Sequence, residues 1–335
     1  MKKMMALVLA AMLACLCIPC IAGAEEPTEL TIQAVDAAGE AVGVTVPYKP
    51  ERVVVLDFAN LDILDNLGLG DRVVGVPTIS LDYLKAYEEG RAMAGTVKTP
   101  DLEAVMACEP DLILMGGRMA EYYDTLSEIA PVLRLITDNV NVGLVESVRR
   151  NAAIIGNIFG EDEQVDALLA QYDARIAALA EFAQGKTCVL GMCTTGSFNL
   201  LGNDGRCSLI VNEVGFHNIG AEAATSSSRS GGRGGNGEGG QNTEGSTPTH
   251  GNEVSFEAIV SLNPQYIFVM DRDAAIGTSG AQLAQEIMEN ELIMKTDAYQ
   301  NGNLVILKNP GIWYTAEGGI TALGFMLEDL ESSLN

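Results

Sequence analysis

Histidine is nearly missing from this 335-residue chain, which carries only His217 and His250, and tryptophan occurs once, as Trp313. So small a supply leaves histidine-based catalysis few candidates, and no HExxH zinc-hydrolase pattern or GxSxG nucleophile elbow occurs. Gly68-Leu69-Gly70-Asp71-Arg72 opens like a dinucleotide fingerprint but lacks the third glycine, and it follows a helical pattern and precedes a strand, the reverse of the required order. The glycines at 231–240 lack the Gly-Lys-Ser/Thr of a phosphate loop. Of seven cysteines, Cys15, Cys17 and Cys20 lie in the first 24 residues. The other four, Cys108, Cys188, Cys193 and Cys207, contain no CxxC pair, which argues against a zinc site and a disulfide scaffold. One bridge, Cys193 to Cys207, is permitted, though spacing does not establish it. Positive charge is also short: 20 basic against 45 acidic residues give a net charge of −25, a surface that repels nucleic acid and anionic lipid. Beyond the N-terminal segment no apolar run approaches membrane-spanning length.

That segment has the three-part layout of a secretory signal, with Lys2 and Lys3, an apolar stretch from Met4 to Ile21, and Ala22-Gly23-Ala24 before cleavage at Glu25. Acylation of Cys15 is the alternative, although Met12-Leu13-Ala14 matches the usual lipoprotein approach poorly. The exported remainder, residues 25–335, has the length of roughly two domains.

Short apolar, β-branched runs alternate with helical patterns, predicting strands near 52–57, 72–76, 111–115, 132–135, 187–192, 266–270 and 303–307. Such alternation points to parallel α/β sheets. Between the two sets, Val165, Leu168, Leu169, Tyr172, Ile176 and Leu179 recur at helical spacing between Gly160 and Gly185. A helix there would reach some 30 Å at ~1.5 Å per residue, enough to cross between two domains. The chain also repeats itself: Asp101 to Arg118 (DLEAVMACEPDLILMGGR) aligns without a gap on Ser255 to Arg272 (SFEAIVSLNPQYIFVMDR). Each copy reads as an N-cap, a first-turn Glu, a short helix closed by Pro, a buried strand, and an Arg just past the strand's carboxyl end. Ligands of open α/β sheets bind outside those ends, so Arg118 and Arg272 would share a cleft if the lobes face each other. Residues 225–249 (TSSSRSGGRGGNGEGGQNTEGSTPT) form a Gly/Ser-rich tract that reads as a flexible loop inserted in the second lobe.

The expected fold is therefore α/β: two Rossmann-like lobes with parallel sheets, 25–160 and 186–335, joined by one long backbone helix within 161–185, with the ligand cleft between the lobes. Over essentially the whole mature chain, from Pro50-Glu51-Arg52-Val53-Val54-Val55 through Leu67-Gly68-Leu69-Gly70-Asp71-Arg72 to the final helix, the sequence resembles the solute-binding proteins of ABC importers for ferric siderophores, haem and cobalamin. Gly95-Thr96-Val97-Lys98-Thr99-Pro100-Asp101, Gly116-Gly117-Arg118, His250-Gly251, Val269-Met270-Asp271-Arg272 and Trp313-Tyr314 are similar to the branch that takes ferric catecholates. The resemblance implies a monomeric receptor rather than an enzyme, with no intrinsic cofactor, delivering a ferric siderophore to ABC permease subunits. It implies an arginine clamp of Arg118, Arg206 and Arg272, with His250 and Tyr314 as added iron ligands. Glu103 and Glu257 match the positions that dock onto the permease, while as first-turn residues they also suit the helix dipole by ~0.3–1 kcal/mol. The chemistry agrees, because guanidinium forks suit planar oxyanions and phenolate suits hard ferric iron. Arg118 and Arg272 as structural ion pairs, Arg206 as a turn residue, Tyr314 as core and His250 as a solvated loop residue remain the plain alternatives. The rival functions are a haem receptor of the same class, with His250 and Tyr314 as axial ligands, and an exported enzyme on a similar fold.

Overall fold

The computed structural model describes residues 26–226 and 252–334; the N-terminal segment with Cys15, the Gly/Ser-rich tract from residue 227 and His250 lie outside them. The chain enters with an antiparallel hairpin, β1 (Glu29–Val35) and β2 (Ala41–Pro47). Next come β3 (Val53–Val55), β4 (Val73–Val76), β5 (Ala92–Met93), β6 (Leu112–Met115) and β7 (Val132–Arg134), which form a parallel sheet of order β5-β4-β3-β6-β7. The runs Val53–Val55 and Leu112–Met115 are wholly buried, as strands covered by helices on both faces must be.

The second sheet contains β8 (Thr187–Thr194), β9 (Ser197–Leu200), β10 (His217–Asn218), β11 (Asn252–Glu253), β12 (Tyr266–Asp271) and β13 (Leu304–Ile306), in the order β11-β9-β8-β12-β13 with β10 also on β8. Its centre is parallel, but β9 folds back on β8 as a tight hairpin. Thr195 and Gly196 make that turn with φ of 50° and 79°, the conformation a two-residue hairpin needs. The Phe198 ring packs directly on Gly191, where a Cβ would strike it at 1.9 Å.

The seven strands read from apolar runs are all present; the β1–β2 hairpin, β5 and β9 to β11 were not expected. The β1–β2 hairpin leaves most of its positions exposed or half-buried, so it lacks the continuous apolar signal of the central strands. Cys193 and Cys207 are not bridged: all four described cysteines are free and buried, and burial pushes the Cys193 thiol up to about 12. Asp101 caps its helix through a bond from Ala104 N at 3.0 Å, whereas Ser255, its counterpart, makes no side-chain cap bond.

Helix Asp162–Ala183 follows Gly160, whose φ of 75° ends helix Leu144–Phe159, and runs between the two sheets. Arg175 ties it to the C-terminal helix Ile320–Ser333 by a fork onto Glu331 at 2.7 and 2.8 Å. That C-terminal helix crosses back to the first lobe, where Asp62 accepts from Thr321 N at 2.8 Å and Ala322 N at 3.0 Å. One apolar core accordingly runs from Leu61 and Leu114 past Leu179 to Phe268. The segment 310–319 is thus gripped by both lobes, which positions the side chains that follow.

Candidate functional site

Tyr314 lies in helix Pro310–Thr315, directly after Trp313, and the two side chains have different surroundings. Trp313 is completely buried, its indole Nε1 donating to Asp329 Oδ2 at 2.9 Å. Tyr314 turns toward the boundary between the lobes, where three guanidinium groups gather around its ring: Arg206 at 4.3 Å from the ring centroid, Arg118 at 5.4 Å and Arg272 at 5.7 Å. Arg118 also donates to the Tyr314 carbonyl, and Arg272 Nε donates to its hydroxyl at 3.2 Å. Thr315 closes this helix, its hydroxyl donating to Gly311 O at 2.5 Å. The next helix is capped by Gly319.

The local reasons are legible. Arg118 follows β6 through Gly116 and Gly117; a Cβ at Gly116 would lie 3.2 Å from the Asp57 side chain, so glycine lets this loop sit against it. Arg272 is the first residue after β12 and is held by Thr194 Oγ1 at 3.3 Å and by Asp273 at 3.6 Å. Arg206 comes from the loop after β9, which touches the first lobe where Asn139 Nδ2 donates to Gly205 O at 3.2 Å. Nearby, Glu213 of the second lobe accepts from Leu144 N at 2.6 Å and Val145 N at 3.3 Å, capping a helix of the first.

A cavity of about 80 Å3 lined by Asp57, Arg118, Tyr314, Glu317 and Asn151 opens here. Burial, with the neighbouring Arg206 charge, lowers the Arg118 pKa. Burial raises the Asp57 and Glu317 carboxyls, opposed by bonds from Asn60 and the Arg118 charge at Asp57, and by Arg206 and Arg118 at Glu317. Like charges held together in a half-buried cleft repel one another, and a planar anion entering between them would relieve that repulsion.

Of the residues singled out in the sequence, Arg118, Arg206, Arg272 and Tyr314 come together here; His250 lies outside the described residues. Glu103 and Glu257 are exposed in the first turns of helices Leu102–Ala107 and Phe256–Leu262. Asp57, Thr194, Asp273 and Glu317 were not anticipated. Asp57 stands at the end of β3 and caps the next helix, a position that marks it as readily as Arg118 was marked. Among the described residues no cluster of three or more His, Cys, Asp or Glu is arranged to hold a metal ion.

Two α/β lobes meet at a cleft lined by arginines from both, and the chain belongs to the periplasmic binding protein family, whose model matches residues 53–310. It stands among binding proteins rather than enzymes. Among its relatives, the petrobactin-binding protein YclQ of Bacillus subtilis is 33% identical over 296 residues, 87% of this chain and 85% of that one. The YclQ crystal structure superposes with a TM-score of 0.77 over 91% of this chain and 99% of its own. The catecholate-siderophore-binding protein VctP of Vibrio cholerae has a TM-score of 0.75 at 29% identity, covering 91% of this chain and all 100% of its own. The ferric-anguibactin-binding protein FatB of Vibrio anguillarum is 26% identical over 91% of this chain and 88% of its own.

Proposed function

We propose that this protein is the extracytoplasmic receptor of an ABC importer, capturing a ferric catecholate-type siderophore between its lobes and delivering it to the permease. The observation that carries the reading is the convergence of Arg118, Arg206 and Arg272, from three separate segments, on the single ring of Tyr314. Relatives that bind ferric siderophores support it. The guanidinium forks clamp the catecholate oxygens, whose charge they match without titrating. Iron is cargo, and the siderophore supplies most of its ligands. Where the siderophore leaves two positions vacant, Tyr314 and His250 complete the sphere. Glu103 and Glu257, one on each lobe, contact the permease subunits. The protein works as a monomer at the periplasmic or outer face of the cytoplasmic membrane, released after Ala24 or, in the lesser reading, anchored through Cys15.

A titration of the purified protein with ferric catecholates and with haem, followed by Trp313 fluorescence and visible absorption, tests this. Saturable quenching by a ferric catecholate with a broad charge-transfer band is expected. A sharp Soret band on binding haem, with no response to ferric catecholates, would transfer the site to haem.

A further inference from the structure

Three carboxylates, Asp273, Asp57 and Glu317, stand among the guanidiniums of the cleft, and they are not equivalent. Asp273, 3.6 Å from Arg272, is itself held by Thr195 N at 2.6 Å and Thr278 Oγ1 at 3.1 Å. Asp57 is occupied at the N-cap of helix Phe58–Asn66, with Asn60 N at 3.0 Å. Glu317 caps nothing. It sits in the turn between helices Pro310–Thr315 and Ile320–Ser333, lining the same cavity as Arg118 and Tyr314, with Arg206 and Arg118 as its main opposite charges. Its turn has little freedom to carry it away. A Cβ at Gly318 would meet Thr137 at 2.9 Å and Ala59 at 3.1 Å, and one at Gly319 would meet Asp62 at 2.5 Å. Burial raises its carboxyl pKa against the opposing pull of the Arg206 and Arg118 charges, and in its ionised form Glu317 is a negative charge in the wall of the ligand site.

We propose that Glu317 selects ligands by charge, favouring ferric complexes of low net negative charge over triply charged ones. The proposal rests on the receptor reading above. A fixed carboxylate repels a ligand in proportion to the ligand's charge, because the Coulomb energy is linear in it. A monoanionic complex loses little to Glu317 and keeps its contacts with the arginines. A trianionic complex meets three times the repulsion from the same group, at the wall where Arg118 and Arg206 are already partly neutralised.

The test compares dissociation constants of two probes by fluorescence quenching: the monoanionic ferric complex of a linear bis-catecholate and the trianionic ferric complex of a tripodal tris-catecholate. Glu317→Gln is expected to tighten the trianion about tenfold and the monoanion only about twofold, since the gain scales with ligand charge. Glu317→Asp, which keeps the charge, should hold the wild-type ratio, and Glu317→Ala should show the same shift if the Gln variant does not fold. An unchanged ratio in the uncharged variants, or equal weakening of both probes, overturns charge selection and leaves the receptor reading standing. Wild-type protein that binds neither probe overturns both.

Discussion

Arg272 donates from Nε to the hydroxyl of Tyr314 at 3.2 Å, so a residue of the second lobe's central strand end is joined to the one aromatic ring that Arg118 of the first lobe also reaches. The phenol oxygen is thereby held at a fixed point in the cleft, as a ligand atom for an incoming metal must be.

The first prediction concerns that oxygen. Tyr314→Phe should weaken binding of a four-oxygen ferric siderophore about tenfold, ~1.4 kcal/mol, and shift its charge-transfer band. A six-oxygen ferric complex, which has no vacant position, should keep its spectrum in the variant. Spectra and affinities unchanged for both complexes would remove Tyr314 from the iron.

A second prediction concerns stability. Asp62 is buried beneath the C-terminal helix, accepting from Tyr83 Oη at 2.6 Å as well as from Thr321 and Ala322, yet burial raises its pKa to about 6. A carboxyl whose folded pKa exceeds its unfolded value binds a proton more readily in the native state, so its stabilising contribution is complete below pH ~4 and is lost as pH rises toward ~6. The loss amounts to about 3 kcal/mol and is flat above that window. Denaturant unfolding across this range should show the slope in the wild type and lack it in Asp62→Asn; parallel curves would assign the pH dependence elsewhere.

The third separates capture from delivery. Glu103 and Glu257 stand in equivalent first turns, exposed, one on each lobe. If they were only helix-terminus charges, reversal to Lys would cost ~1 kcal/mol of stability each and nothing more. As docking residues, their reversal sets like charges against permease arginines at two contacts, so iron uptake by cells should fail while siderophore affinity of the purified double variant stays normal. Normal uptake, or parallel loss of uptake and affinity, would contradict docking.

How much was legible follows from burial. Val53–Val55, Leu112–Met115 and Tyr266–Asp271 are buried along their whole length, and a continuous apolar run is what a sequence displays most openly. Arg118 and Arg272 were found because a gapless internal repeat put them at matching strand ends. Glu317 and Asp273 had no such marker, being single carboxylates among 45 acidic residues with no repeat to set them apart. The hairpin β1–β2 was hidden because its alternation leaves most positions exposed or half-buried.

The central claim is that arginines from both lobes bind one ligand, and the most direct measurement is ferric-catecholate affinity in Arg118→Ala and Arg272→Ala, each checked for an intact fold. Each should weaken binding by ~2 kcal/mol, about thirtyfold, through lost charge-assisted hydrogen bonds, and the Lys variants should recover only part of it. Wild-type affinity in both alanine variants would place the ligand outside this cleft.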